Sequence, residues 1–187
     1  MRITTGSAKG RPIALPKGMQ LRPSTDRLRL ALFNILGPGI TGASFLDLFC
    51  GTGAVALEAL SRGAGKAIFC DSQRRCIEHA KALAEKFKFQ PERSEFLQGP
   101  FERTLASLAG RGLSFDYVFI DPPYEAGLVE PALRLLVGLA IVAPGPHARV
   151  LVERATSSKP PQVEGLVLLK DHAYGSSSLA VYEAAAP

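Results

Sequence analysis

No stretch of this chain approaches the run of about 18 apolar residues that a membrane-spanning helix needs, so no span is expected. The opening residues, Met1-Arg2-Ile3-Thr4-Thr5-Gly6, lack the apolar core of a secretory signal. Cysteine is scarce. Cys50, Cys70 and Cys76 are the three present, and their spacing matches neither a disulfide framework nor a zinc site. Free thiols in a reducing compartment follow, and with them the expectation of a soluble cytoplasmic protein with no membrane partner; the sequence does not fix the oligomeric state, and a monomer is favoured. His79, His147 and His172 are scattered without ligand partners, so no metal site is expected.

Acids are nearly missing from one end. Asp26 is the single acid among residues 1–29, against Arg2, Lys9, Arg11, Lys17, Arg22, Arg27 and Arg29. That is a local net charge of +6 in a chain whose total is +5, so the remaining residues sum to −1. A basic excess confined to one end suits a polyanion partner.

What is present is ordinary for a globular protein: 187 residues, 47% hydrophobic and 21% charged. One domain of that length buries about 70% of the surface its unfolded chain exposes, without disulfides. Residues 1–23 read as an appendage, a basic arm. In it Arg2-Ile3-Thr4-Thr5 and Arg11-Pro12-Ile13-Ala14-Leu15 pair as a hairpin, with Pro12 confining its strand to an edge. Residues 24–187 form the main domain. A helix capped by Ser24 or Thr25 runs to Leu36 and stops at Gly37. Strand patterns follow at 44–48, 66–70, 94–98, 115–120, 148–153, 165–169 and 178–183. Helical patterns fall at 53–62, 72–88, 100–109 and 127–142. Such alternation predicts an α/β, Rossmann-like fold with a mainly parallel sheet and helices on both faces. The last two strands, with no helix between them, predict one antiparallel member.

Two motifs carry the chemistry. In Tyr117-Val118-Phe119-Ile120-Asp121-Pro122-Pro123-Tyr124 a buried strand stops at an acid, two prolines and an aromatic. Neither proline can donate to a sheet ladder, and each stiffens the residue before it. Carboxylate and carbonyl oxygens are thereby concentrated at a strand end beside a flat ring, a clamp for a planar group with an N–H to donate. A plain strand-to-helix turn is the bland alternative. The second motif, Asp47-Leu48-Phe49-Cys50-Gly51-Thr52-Gly53, joins the first strand of the domain to a helix, with Ala56 completing G-x-G-x-x-A. The glycines let a ligand approach the helix N-terminus, and Asp71 ends the next strand, where an acid accepts hydrogen bonds from ribose hydroxyls. An adenosine-bearing cofactor fits this spacing. Asp47, just before the glycines, suits a cation better than a pyrophosphate, which favours S-adenosylmethionine over a nicotinamide dinucleotide. Cys50 reads as packing or a backbone contact at the cofactor loop rather than as a nucleophile. Cys70 and Cys76 have no evident role.

Asp47 to Gly53, Asp71 and Asp121 to Tyr124, in this order, resemble a class I S-adenosylmethionine-dependent amino-methyltransferase. Gly6-Ser7-Ala8-Lys9-Gly10-Arg11, Arg22-Pro23-Ser24-Thr25-Asp26-Arg27, Ala31-Leu32-Phe33-Asn34-Ile35-Leu36, Glu58-Ala59-Leu60-Ser61-Arg62-Gly63-Ala64 and Tyr174-Gly175 narrow the resemblance to the RsmD family. That family methylates the N2 amine of one guanine in bacterial 16S ribosomal RNA. The resemblance implies Asp121, Pro122, Pro123 and Tyr124 as catalytic residues, and Asp47, Cys50, Gly51, Gly53 and Asp71 as cofactor-binding residues. It implies Lys9, Arg11, Arg22 and Arg27 as RNA-binding residues, no metal, and 16S ribosomal RNA or a small-subunit assembly particle as partner. Two departures stand out. Gln98-Gly99-Pro100 replaces the family's usual Gly-Asp at the third strand's end, and Leu30 stands where glutamate is general. A DNA adenine-N6 methyltransferase would use the same clamp, and a non-catalytic RNA-binding assembly factor would need only the basic end. A nicotinamide oxidoreductase would leave the clamp without work.

Overall fold

The computed structural model describes residues 1–15, 26–123 and 127–185. Its first helix, α1 (Asp26–Leu36), is followed by a short 3-10 turn, Gly37–Ile40. Strands and helices then alternate as β1 (Ser44–Asp47), α2 (Ala54–Ser61), β2 (Lys66–Asp71), α3 (Arg74–Lys86), β3 (Ser94–Gln98), α4 (Phe101–Gly110), β4 (Tyr117–Ile120) and α5 (Val129–Gly138). β5 (Arg149–Ala155), β6 (Leu166–Tyr174) and β7 (Ser177–Ala184) complete the chain.

The seven strands form one sheet in the order β3-β2-β1-β4-β5-β7-β6. It is mixed. Neighbours from β3 through β5 pair in parallel, whereas β5–β7 and β7–β6 are antiparallel. The two-residue turn between Tyr174 and Ser177 leaves no room for a crossover, so that reversal is obligatory. α5 ends at Gly138, short of the expected 142, because Ala140 takes a φ of 52° and Val142 bridges to Phe115.

Strand residues alternate between two cores, as the period of two requires. Phe45, Phe69, Phe119 and Leu151 face α1, α2 and α3, while Leu46, Ile68, Ile120 and Val150 face α4 and α5. The succession β1, β2, β3 moves to one side of β1, and β4 returns to the other. β1 and β4 therefore flank the switch point, where the carboxyl ends of such a sheet open a crevice.

The expected N-terminal hairpin reduces to one antiparallel bridge, Arg2 with Pro12, closed by Ile3 N–H to Arg11 O and Gly10 N–H to Ile3 O. These residues do not stand away from the body: Ile3, Ala8 and Ile13 are buried in the first core. Glu58 on α2 pins them. Its carboxylate accepts from the backbone N–H of Thr4 and Thr5 and from the Thr4 hydroxyl, at 2.6–3.0 Å. It also pairs with Arg62 at 2.9 Å and Arg29 at 3.5 Å, and both Glu58 and Arg29 are fully buried. Ser61 adds a hydroxyl bonded to Thr5 O and Ala8 N–H. Gly6 lies so close that a Cβ there would meet Ser61 O at 1.8 Å, at a φ of 85°.

Removing one member of a buried ion cluster leaves an uncompensated charge, which costs about 3–5 kcal/mol. Glu58→Ala should lower the urea unfolding free energy by that order and Glu58→Gln by less. An Ala variant within about 1 kcal/mol of the parent would show that the cluster contributes little.

Candidate active site

Five adjacent parallel strands, β3 through β5, deliver their carboxyl ends to one edge of the sheet. Asp47 of β1 lies in register with Phe119 of β4 on one side and Phe69 of β2 on the other. Leu48 N–H continues that pairing to Phe119 O at 3.0 Å, so Asp121 emerges beside the residues that follow Asp47. Strand alternation carried one step beyond Ile120 puts Asp121 on the face of Phe119, the face that also bears Asp47 and α2. Asp121 is half-buried, Pro122 buried and Pro123 exposed. Tyr124, like Arg22 and the expected N-cap at Ser24 or Thr25, lies outside the described residues.

The loop after β1 is held by its backbone. Cys50 N–H reaches Cys70 O on β2 at 2.8 Å, and Gly53 N–H closes a turn onto Cys50 O at 2.7 Å. Gly53 then opens α2 at a φ of 76°, where a Cβ would stand 2.8 Å from that of Ala80. Only glycine combines that dihedral with that closeness.

Asp47 is buried, and its Oδ2 accepts from Ala56 N–H at 3.2 Å, near the start of α2. Its Oδ1 is buried without a hydrogen-bond partner. Burial, opposed by the Ala56 bond and reinforced by nearby Asp71, pushes the Asp47 carboxyl up to about 7. A partnerless buried carboxylate oxygen beside a glycine loop fits a cationic ligand group and would repel a pyrophosphate.

Asp71 is oriented from three directions. Oδ2 accepts from Gly51 N–H at 2.9 Å, Oδ1 accepts from Gln73 N–H at 2.8 Å, and the Cys76 thiol donates a side-chain bond. Burial first, then Asp71, pushes the Cys76 thiol up to about 12. That gives Cys76 a role the sequence reading missed; the signal was its place one turn into the helix that follows the acid. Burial also holds the Cys50 thiol well above its usual range, with Asp47 and Asp71 adding to the effect, so it stays protonated and unfit as a nucleophile. At the end of β3, Gly99 N–H donates to Asp71 O at 3.0 Å, and Gln98 reaches Ser72 O. Pro100 leaves this strand end without an acid, and Gly99 and Gln98 tie it to the turn after β2. Leu30 is 43% exposed on α1.

Lys9 and Arg11 are not brought to this edge. Arg11 donates to Lys86 O at 2.9 Å and lies over the Phe87 ring, at the far end of α3 from Asp71. Thirteen residues of helix put about 20 Å between those ends. Arg27, near the start of α1, is exposed. An open cleft of about 480 Å³ lies at the opposite, amino end of β1 and β4, beside Asp116, Tyr117 and Arg149, and includes none of the candidate residues. Among the described residues no cluster of His, Cys, Asp and Glu could hold a metal, and no helix is long and apolar enough to cross a membrane.

A family model described as "Conserved hypothetical protein 95" matches residues 1–183. Ribosomal RNA small subunit methyltransferase D of Haemophilus influenzae is 31% identical over 98% of this chain and 93% of its own length. Its Escherichia coli counterpart is 37% identical over 73% of this chain and 66% of its own. The solved structure of yhhF from Escherichia coli superposes with a TM-score of 0.85 at 32% identity, over 98% of this chain and 97% of that one. With its strand-end acids, its glycine loop and its match running from the first residue almost to the last, the chain belongs to the RsmD family of methyltransferases.

Proposed function

We propose that this protein transfers a methyl group from S-adenosylmethionine to the exocyclic N2 amine of a guanine in 16S ribosomal RNA, in the cytoplasm. The relatives' names support an RNA of the small subunit. The observation that carries the reading to chemistry is the convergence of Asp47, Asp71 and Asp121 on one edge at the switch point of the sheet. When bound, S-adenosylmethionine supplies a methyl group activated by its sulfonium.

This chain's residues do the rest. Asp47 Oδ1 would receive the cofactor's cationic end, and the Asp71 carboxylate, fixed by Gly51, Gln73 and Cys76, would accept from the ribose hydroxyls. A guanine amine is a weak nucleophile because its lone pair is delocalised into the ring. The Asp121 carboxylate and the Pro122 carbonyl would accept its two N–H bonds and turn the lone pair toward the methyl group. Tyr124 would stack on the base. Bonds to a carboxylate strengthen as the nitrogen becomes cationic, so they favour the transition state over the ground state. Alignment of amine and methyl adds the larger share, of order 7–11 kcal/mol in favourable cases. Asp121 or water takes the released proton.

Four outcomes test this assignment. Incubation with labelled S-adenosylmethionine and 16S RNA, followed by nucleoside analysis, should yield N2-methylguanosine. Asp121→Ala should abolish that product while cofactor affinity stays within a few-fold, and more than half the parent activity would discard the clamp. Asp71→Ala should weaken cofactor binding measured by calorimetry; unaltered affinity would refute its role. The fourth concerns pH. The folded protein holds the Asp47 proton from the usual carboxylate range up to about 7. Stability without ligand should therefore fall as pH rises through that window and level off above it, since the unfolded chain binds fewer protons there. A cation bound at Oδ1 favours the ionised form. Cofactor affinity should then rise with pH toward about 7, with proton release seen as a buffer-dependent binding enthalpy. Asp47→Asn should lose that release, and its persistence would remove Asp47 from the binding site.

A further inference from the structure

One stripe of α3 carries basic residues with no acid among them. Arg75, His79, Ala82 and Lys86 recur at intervals of four, three and four, which puts them on a single face about 16 Å long. Glu78 and Glu85 lie on the neighbouring face, and Glu78 is already paired with Arg74 at 2.7 Å. The N-terminal segment runs alongside this stripe. The His79 ring bonds Ala14 O at 2.8 Å, and Arg11 bonds Lys86 O and covers Phe87, so Lys9 and Arg11 lie at the stripe's lower end. Among the described residues no ion pair engages Lys9, Arg75, Lys86 or Lys88. The stripe begins one turn from Asp71, at the catalytic edge.

Lys88 adds a second, independent sign. It occupies the position just past the helix where Phe89 N–H returns to Ala84 O and Lys88 N–H to Glu85 O, the glycine position of a Schellman cap. Its φ is 60°, a left-handed conformation that disfavours a side chain. The fold alone would be better served by glycine there.

We propose that the seam between α3 and the N-terminal segment is the track of the RNA phosphate backbone, with Arg75, Lys86 and Lys88 as phosphate contacts in addition to Lys9 and Arg11. The track starts at the sheet's carboxyl edge, where the clamp lies, and runs down the helix for about 16 Å, so nucleotides flanking the target are held along it. This rests on the RNA methyltransferase reading above. It also explains how a basic loop so far from the clamp can still serve it.

The test is RNA affinity against salt, for a single-stranded 16S fragment between about 50 and 200 mM, beside methyl transfer by the unaltered protein. R75Q/K86Q should flatten the slope of log affinity on log salt by about 0.7 per lost contact, about 1.4 for the pair. Lys170→Gln, on strand β6 at the opposite end of the sheet, removes one charge and should leave the slope alone. Lys88→Gly should bind RNA more weakly with a melting temperature at or above the parent's, because glycine relieves the left-handed strain. A lysine kept for structure alone gives the reverse: RNA binding unmoved. An unaltered slope in R75Q/K86Q, or an equal loss in Lys170→Gln, overturns the track while transfer by the unaltered protein preserves the enzymatic reading. No transfer to RNA by the unaltered protein overturns both.

Discussion

The Asp47 carboxylate is taken out of water at the end of β1, with the Ala56 N–H on one oxygen and nothing on the other. A buried polar atom without a partner carries a penalty of the order of a hydrogen bond or more. The fold tolerates it because α2, buried along its whole length, cannot move aside to admit water. The same burial raises the carboxyl toward neutrality and reserves its ionised form for a state in which a cation is present. A site arranged this way is tuned to charge: it resists a phosphate and rewards an ammonium or a sulfonium.

α2 joins two parts of the fold through its two ends. Its first turn rests on Asp47, while its last turn carries Glu58, Ser61 and Arg62, which fasten residues 4–8. Glu58 spends its acceptors on Thr4, Thr5, Arg29 and Arg62 together, so α1, α2 and the N-terminal segment share one buried charge cluster. The desolvation of such a cluster offsets much of its ion-pair attraction, so its burial fixes geometry without by itself showing a net gain in stability. Here the position held is that of the N-terminal basic loop relative to α2.

Helix α3 works in the same way on the neighbouring strand. Its first turn supplies Gln73 N–H and the Cys76 thiol to Asp71, and its last turn supplies Lys86 O to Arg11. Each helix thus ties an acid at the carboxyl edge of the sheet to a basic segment at the other edge. With both helices packed on the same core face, the two edges cannot shift independently.

The sequence by itself determined the order of elements, the α/β class, the reversal forced between β6 and β7, and the two motifs at strand ends. All of these follow from periodicity, from proline and glycine geometry, and from loop length, which act within a few residues. It did not place Glu58 in a buried cluster with Arg29 and the N-terminal segment, because those contacts join separate segments and form only once α1 and α2 share a core face. Nor did it show that Lys9 and Arg11 would lie against the far end of α3, since a basic run has no intrinsic direction and tertiary packing alone decides where it points. Local dihedral preference settled which residues end a strand; burial on one face of the sheet settled which of them meet.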